Sequence, residues 1–362
     1  MDMSVGMRPE GAPLRSTLSA GGRGSKVKAI NLALQGGGAH GAFAWGVLDR
    51  LIEDGRLSFD GISATSAGAM NATVMAYGWM RGGPTGARDA LGAFWRAISD
   101  AATRYSPYKQ MPWAKAAGDF SLDRSPAYFL MDMATRIYSP YQLNPWNFNP
   151  LRQVLEEHVD FEALRAASPI KLFLCATNVE TCKVRTFTED TITPEAVLAS
   201  ACLPFMFQAV EIDGEYYWDG GYVGNPAIYP LIYHCESRDV LVVHLNPIVR
   251  RGCPKSAAEI LNRLNEVSFN SSLMREMRAI AFVTSLIERG QLDRDEYRQM
   301  HVHSIRVDGE MCGLGVSSKL NADWEFLSHL RDRGRHHAEQ WLADSFGAVG
   351  KRSSVDIRAE FL

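Results

Sequence analysis

Residues 28–35 (KAINLALQ) make a short apolar, partly β-branched run that ends in three glycines. Apolar positions then recur at helical spacing through 39–54 (AHGAFAWGVLDRLIED), with Phe43, Val47, Leu48, Leu51 and Ile52 on one face. The same succession follows at once. FDGISATS (59–66) reads as a second short strand and AGAMNATVMAYGWM (67–80) as a helix of small residues. Strand, helix, strand, helix at these lengths demands a parallel sheet joined by right-handed crossovers, so the chain is of the α/β class. Strands in such a sheet are buried on both faces, which is why 28–35 is continuously apolar rather than alternating.

Later segments extend the pattern. Residues 87–103 and 149–164 read as helices, 170–179 and 183–189 as strands, and 193–203 as a helix with Pro194 in its first turn. AVEIDGEYYWDGG (209–221) reads as a hairpin turning at Asp213-Gly214. Residues 239–247 and 301–308 are further strands, 256–290 a long helix, and the apolar spacing of 322–346 that of an amphipathic helix or helix pair. Between them, 105–148 holds ten aromatic residues and five prolines, and is expected to be an irregular insertion over the core, either a lid or a surface for the lipid–water boundary, or rings packed on the core. Residues 1–26, rich in Gly, Ser, Pro and Arg and lacking an apolar h-region, are expected to be a disordered tail.

The composition excludes several classes. With 46% hydrophobic and 22% charged residues and a net charge of −3, the chain has a globular balance and no basic stripe for nucleic acid. No segment reaches the ~20 apolar residues that span a bilayer, so any membrane contact is peripheral. The six cysteines have no CxxC spacing and read as reduced core thiols, which points to the cytoplasm. His301-x-His303 and His336-His337 lack ligand spacing with acidic neighbours, and no metal or other cofactor is expected.

The glycine run has its own chemistry. Gly36, Gly37 and Gly38 precede a helix, so backbone N–H groups without intrahelical partners meet the positive end of the helix dipole. Such a cradle binds a phosphate or an oxyanion. From this segment alone three readings stand level: an oxyanion cradle, the Gly36-x-Gly38-x-x-Gly41 dinucleotide fingerprint, and a structural glycine run. The dinucleotide reading requires an acid at the end of the second strand, where Thr65-Ser66 stands instead.

Ala64-Thr65-Ser66-Ala67-Gly68 separates the readings. A serine between a strand and a helix, flanked by small residues, fits a nucleophile elbow. The bland account makes Ser66 a helix N-cap. A base is then needed, and Asp219 in Trp218-Asp219-Gly220-Gly221 ends an aromatic strand whose Tyr216, Tyr217 and Trp218 are placed to shield it and raise its basicity.

GGGAHG, ATSAG and DGG, with ASACLPFMF at 199–207, resemble the patatin-like phospholipase family over residues 28–250. The resemblance implies a three-layer sandwich with a central, mostly parallel sheet flanked by helices. It implies a lipid acyl hydrolase acting on phospholipid or other acyl esters, without catalytic histidine. Ser66 would be the nucleophile, Asp219 the base, and Gly36, Gly37 and Gly38 the oxyanion hole, with His40, Gly41, Gly68, Gly220 and Gly221 in support. Two positions depart from the family pattern: Ala64 replaces a glycine, and His40 stands where the loop usually carries Arg or Lys, reducing the positive field if neutral. The hydrolase domain is expected at 27–250, with 251–362 a helical extension packed on it and carrying no assigned chemistry. Two rivals are a Ser66-Asp219-His244 triad of the α/β-hydrolase kind and a non-catalytic nucleotide-binding module using the glycine loop.

Overall fold

Strand β1 (Lys28–Leu34) is the axis of the molecule, and a 3₁₀ turn, Gly38–His40, leads from it into α1 (Gly41–Asp54). This is a computed structural model describing residues 27–293 and 296–362; the tail read at 1–26 lies outside the described residues. Next come β2 (Leu57–Ala64) and α2 (Ala67–Tyr105). The helices read at 67–80 and 87–103 are continuous in α2 except for a kink at Gly82-Gly83, just before Pro84. Short helices α3 (Pro112–Ala116), α4 (Pro126–Thr135) and α5 (Pro140–Leu143) follow. The segment read as irregular therefore contains three short helices joined by irregular chain, because each of three prolines occupies a helix first turn, where its missing N–H costs nothing.

Asp160 divides the helix read at 149–164 into α6 (Pro150–His158) and α7 (Phe161–Ala167), its carboxylate capping the second at Ala163 N–H. Then come β3 (Lys171–Asn178), β4 (Val184–Phe187), α8 (Pro194–Ser200), β5 (Val210–Ile212), β6 (Glu215–Asp219), α9 (Tyr229–His234) and β7 (Asp239–Val243). The β5–β6 turn is Asp213-Gly214, both at positive φ, as a two-residue hairpin requires. The remainder is α10 (Ala257–Glu288), β8 (His301–Ile305), α11 (Asp308–Met311), a 3₁₀ turn at Val316–Leu320, α12 (Trp324–Asp344) and α13 (Ile357–Phe361).

Eight strands form one sheet, seven of them in the order β5-β6-β3-β2-β1-β7-β8 and the eighth, β4, paired to β3. The run β3-β2-β1-β7-β8 is parallel, and β4, β5 and β6 make the antiparallel end. Alternate residues serve the two faces. Leu32 and Leu34 join the core under α1, α2 and α12, whereas Ala33, Val240, Val242 and Val302 join a second core under α9 and α10. The result is the mostly parallel, helix-flanked sandwich expected. Gly46 and Gly334 let α1 and α12 approach to backbone contact: an added Cβ on either would collide with a carbonyl of the other helix.

Asp60 lies within β2, accepts the N–H groups of Glu236 and Ser237, and pairs with Lys171. One sequence reading is revised. Of the six cysteines, Cys175, Cys202 and Cys235 are core thiols, but Cys182 and Cys253 are exposed and Cys312 half-buried. Among the described residues no helix is long and apolar enough to cross a membrane.

Candidate active site

Sheet register brings the candidate residues together. β1 and β2 are neighbours, so the glycine loop and Ser66 emerge side by side at their C-terminal ends. Ala64 of β2 pairs with Leu174 of β3, and two residues further on Ala176 pairs with Asp219 of β6. Asp219 is thereby level with Ser66, although 153 positions separate them in sequence.

Ser66 has φ 56° and ψ −123°, a conformation that a side chain with Cβ rarely adopts. Its surroundings hold it there. Ser66 N–H donates to Ser200 Oγ at 2.9 Å, and Ser200 Oγ–H donates to Cys175 O at 2.7 Å. Thr65 N–H is tied to Leu34 O at 3.2 Å, and Thr65 Oγ1–H to Gly224 O at 2.6 Å. The Ser66 side chain makes no capping hydrogen bond to α2, so the N-cap account fails and the hydroxyl is left for other work. Room for the elbow comes from glycine: a Cβ on Gly36 would lie 2.6 Å from Ser66 Cβ, and one on Gly68 would lie 2.8 Å from Gln35 O.

Asp219 is 1% exposed. Its Oδ1 accepts Gly221 N–H at 2.7 Å, while its backbone is pinned by Asp219 N–H to Cys202 O at 2.8 Å and by Thr177 Oγ1–H to Asp219 O at 2.7 Å. Burial raises its pKa from the usual carboxylate range to about 7; the Gly221 N–H, the Ser66 hydroxyl and the Lys319 charge pull the other way. The hydroxyl is thus near enough to the carboxyl to act on its pKa. Such contacts commonly tighten only when substrate is bound. The shielding differs from that read in sequence. Tyr216 is exposed and Tyr217 bonds Glu215, whereas Cys202 and Tyr222 crowd the carboxyl and Phe269 packs on Tyr222. Gly220 and Gly221 are required by contact, the first against Cys175 O and the second against the Phe269 ring.

The glycine loop offers fewer donors than expected. Gly36 N–H is committed to Asn225 Oδ1 at 2.7 Å, which removes Gly36 from the expected oxyanion donors. Among the described residues, the N–H groups of Gly37 and Gly38 have no protein acceptor. Gly38 has φ +57°, and a Cβ there would strike Lys319 O. Gly41 abuts Ala67, where an added Cβ would lie 2.6 Å from Ala67 Cβ. His40 bonds Ser318 Oγ through Nε2 at 2.8 Å, and burial lowers its pKa to about 3, so the ring is neutral and serves as a brace.

His244 does not join the group. Its ring stacks on Phe361, both ring nitrogens lack partners among the described residues, and burial lowers its pKa to about 3. This corrects the Ser66-Asp219-His244 alternative: β7 points His244 into the core below α10 and α13. The nucleotide-binding alternative lacks its acid as well, since β2 leads into Thr65-Ser66 and Asp60 is engaged elsewhere. Among the described residues no cluster of His, Cys, Asp and Glu is arranged to hold a metal ion.

Sequence reading missed Ser200, Asn225 and Lys319. Asn225 follows the DGG motif by a few residues and only the fold reveals what it binds. Lys319 comes from a region without a motif.

Fold and site together describe an α/β protein with a serine at a strand–helix elbow beside a glycine loop. The patatin-like phospholipase family matches residues 32–232, and the chain belongs to that family of lipid hydrolases. Among solved structures it is similar to VipD from Legionella pneumophila, at 16% identity and TM-score 0.35, covering 84% of this chain and 67% of that one. It is also similar to full-length ExoU of the Pseudomonas aeruginosa type III secretion system, solved with SpcU, at 16% identity and TM-score 0.31. That match covers 87% of this chain and 53% of ExoU, so the chain spans about half the length of that relative. A search of curated protein sequences returns no match.

Proposed function

We propose that this protein hydrolyses carboxylic esters of phospholipids or related acyl lipids, with Ser66 as nucleophile and Asp219 as the base. One observation carries the reading: a serine held at an elbow, not capping its helix, faces a carboxyl that burial has made unusually basic. Asp219 takes the Ser66 proton as Oγ attacks the ester carbonyl carbon, and the N–H groups of Gly37 and Gly38 receive the negative oxygen. Asp219 returns the proton to the departing alcohol or lysolipid. Water then attacks the acyl-enzyme, giving its proton to Asp219, which passes it to the leaving Ser66 oxygen.

The sign of the pH dependence follows. A base must be unprotonated, and the Asp219 pKa is about 7. Activity on a water-soluble acyl ester is therefore expected to fall tenfold per pH unit below about 6, this acidic limb ending between about 7 and 8. A kcat/KM profile from pH 4 to 9 checks this; a midpoint near 4 would mean that the base is an ordinary exposed carboxylate.

The segment 105–148 is proposed as the surface that meets the lipid. Trp146 is 90% exposed, and Trp113, Phe129, Leu130, Ile137, Tyr138 and Phe148 are exposed with it. Residues 137–148 carry no charged side chain, and rings of this kind favour the lipid–water boundary. Replacing Trp146 and Phe148 together by serine is expected to weaken partitioning to phosphatidylcholine vesicles about tenfold or more. A sedimentation assay measures this, and unchanged partitioning would assign the vesicle contact elsewhere.

A further inference from the structure

Lys319 is a half-buried cation without a directly paired anion. Its Nζ donates to two neutral amides, Asn246 Oδ1 and Asn265 Oδ1, each at 2.9 Å, and lies 5.5 Å from the centre of the Phe269 ring. Among the described residues no carboxylate lies within ion-pair distance of it. Drawing an ammonium away from water without a carboxylate partner is unfavourable, which points to work the charge performs. Glu266, the acid that acts on it most strongly, is already paired with Arg250 from the loop after β7 and with Arg263 one turn back on α10. The other acid that senses Lys319 is Asp219.

The lysine also reaches the glycine loop. Asn246, whose Oδ1 accepts from Lys319, donates through Nδ2 to Gly36 O at 2.9 Å. The backbone carbonyl of Lys319 fills the space beside Gly38, and the preceding Ser318 holds His40. Gly36, Gly38 and His40 are all fixed by one 3₁₀ turn, Val316–Leu320, which lies beyond the family match at 32–232.

We propose that Lys319 is a positioning residue of the active site: it anchors the glycine loop through Asn246 and sets a positive charge toward the Asp219 carboxyl. The segment after residue 250 thereby completes the site. This rests on the reading of Ser66 and Asp219 as nucleophile and base. The charged and titratable groups facing Lys319 are Asp219 on β6, Glu266 on α10 and His40 ahead of α1. Those facing Asp219 are Lys319, Cys202 and Tyr222. Burial lowers the Lys319 pKa to about 8, so its charge fades as pH rises through that value and the loop anchor weakens.

The test compares full-length wild type with Lys319→Gln, Lys319→Met and Lys319→Arg. Gln keeps hydrogen-bond donors and loses charge; Arg keeps both. Infrared titration follows the Asp219 carboxyl band, identified by its absence in Asp219→Asn, and needs no turnover. Its midpoint should rise by about one pH unit in Gln and Met and stay in place in Arg. With a soluble acyl ester, kcat should fall about tenfold or more in Gln and Met with KM little changed, and Arg should restore most of it. The alkaline limb near pH 8 should vanish in Arg, whose charge persists. If Met does not fold, Gln and Arg decide. An unmoved Asp219 midpoint in folded Lys319→Gln, or an alkaline limb that survives in Arg, overturns the proposal. A wild type with no ester turnover sinks the Ser66–Asp219 reading instead, and the infrared titration still decides the lysine.

Discussion

Ser66→Ala is expected to lower ester turnover by about three orders of magnitude or more, with the fold intact. The size follows from chemistry: without the hydroxyl no acyl-enzyme forms, and only direct attack by water in the glycine cradle remains. The intact fold follows from packing. Alanine keeps the Cβ that seats against Gly36, and the strained backbone at φ 56° is held by Thr65 and Ser200 rather than by the lost hydroxyl, which caps nothing. Thermal melting should place the variant within a few degrees of wild type, while steady-state hydrolysis of short and long acyl esters should be nearly abolished. Retention of turnover within tenfold of wild type would remove Ser66 from the mechanism.

Asp219→Asn is expected to cost a comparable factor, about three orders of magnitude, and to do so while stabilising the protein at alkaline pH. Asparagine preserves the shape and can accept Gly221 N–H, but it takes no proton from Ser66. The stability effect has a definite sign. The Asp219 pKa is raised in the folded protein to about 7, so between the unfolded value near ~3.9 and 7 the folded state binds more protons than the unfolded one. Stability from this group therefore falls as pH rises through that window, and the penalty is in full force above 7. A neutral amide removes it. Asp219→Asn should melt above wild type at pH 8, by an amount on the order of a few kcal/mol at most, and the difference should shrink toward pH 4. An inactive variant that gains stability marks a residue kept for chemistry. A variant that loses stability equally at pH 4 and pH 8 would mark Asp219 as a structural carboxylate.

The strand–glycine–helix and strand–serine–helix units were legible because they are local. Apolar runs of strand length, glycines where a Cβ would collide, and small residues around Ser66 all record backbone geometry within a few positions. The Asp213-Gly214 hairpin was legible for the same reason. What sequence reading missed is non-local or side-chain specific. Gly36 looks like its two neighbours until Asn225, far along the chain, is seen to take its N–H. Tyr216 and Tyr217 look like a shield for Asp219, but strand alternation and the hairpin direct one to solvent and the other to Glu215, leaving Cys202 and Tyr222 to crowd the carboxyl. The short helices within 105–148 were hidden by their prolines, three of which serve as first-turn residues in a segment expected to be irregular. Lys319 carries no motif at all, and only packing against Gly38 reveals it.

The account depends on Ser66 being reactive because Asp219 is unprotonated beside it. The rate at which a fluorophosphonate labels the protein, mapped by mass spectrometry across pH 5 to 9, measures that coupling directly. The label should land on Ser66, its rate should rise with a midpoint near 7 in step with the Asp219 carboxyl, and Asp219→Asn should react slowly at every pH. Label on another residue, or a Ser66 rate in Asp219→Asn equal to wild type, would contradict it.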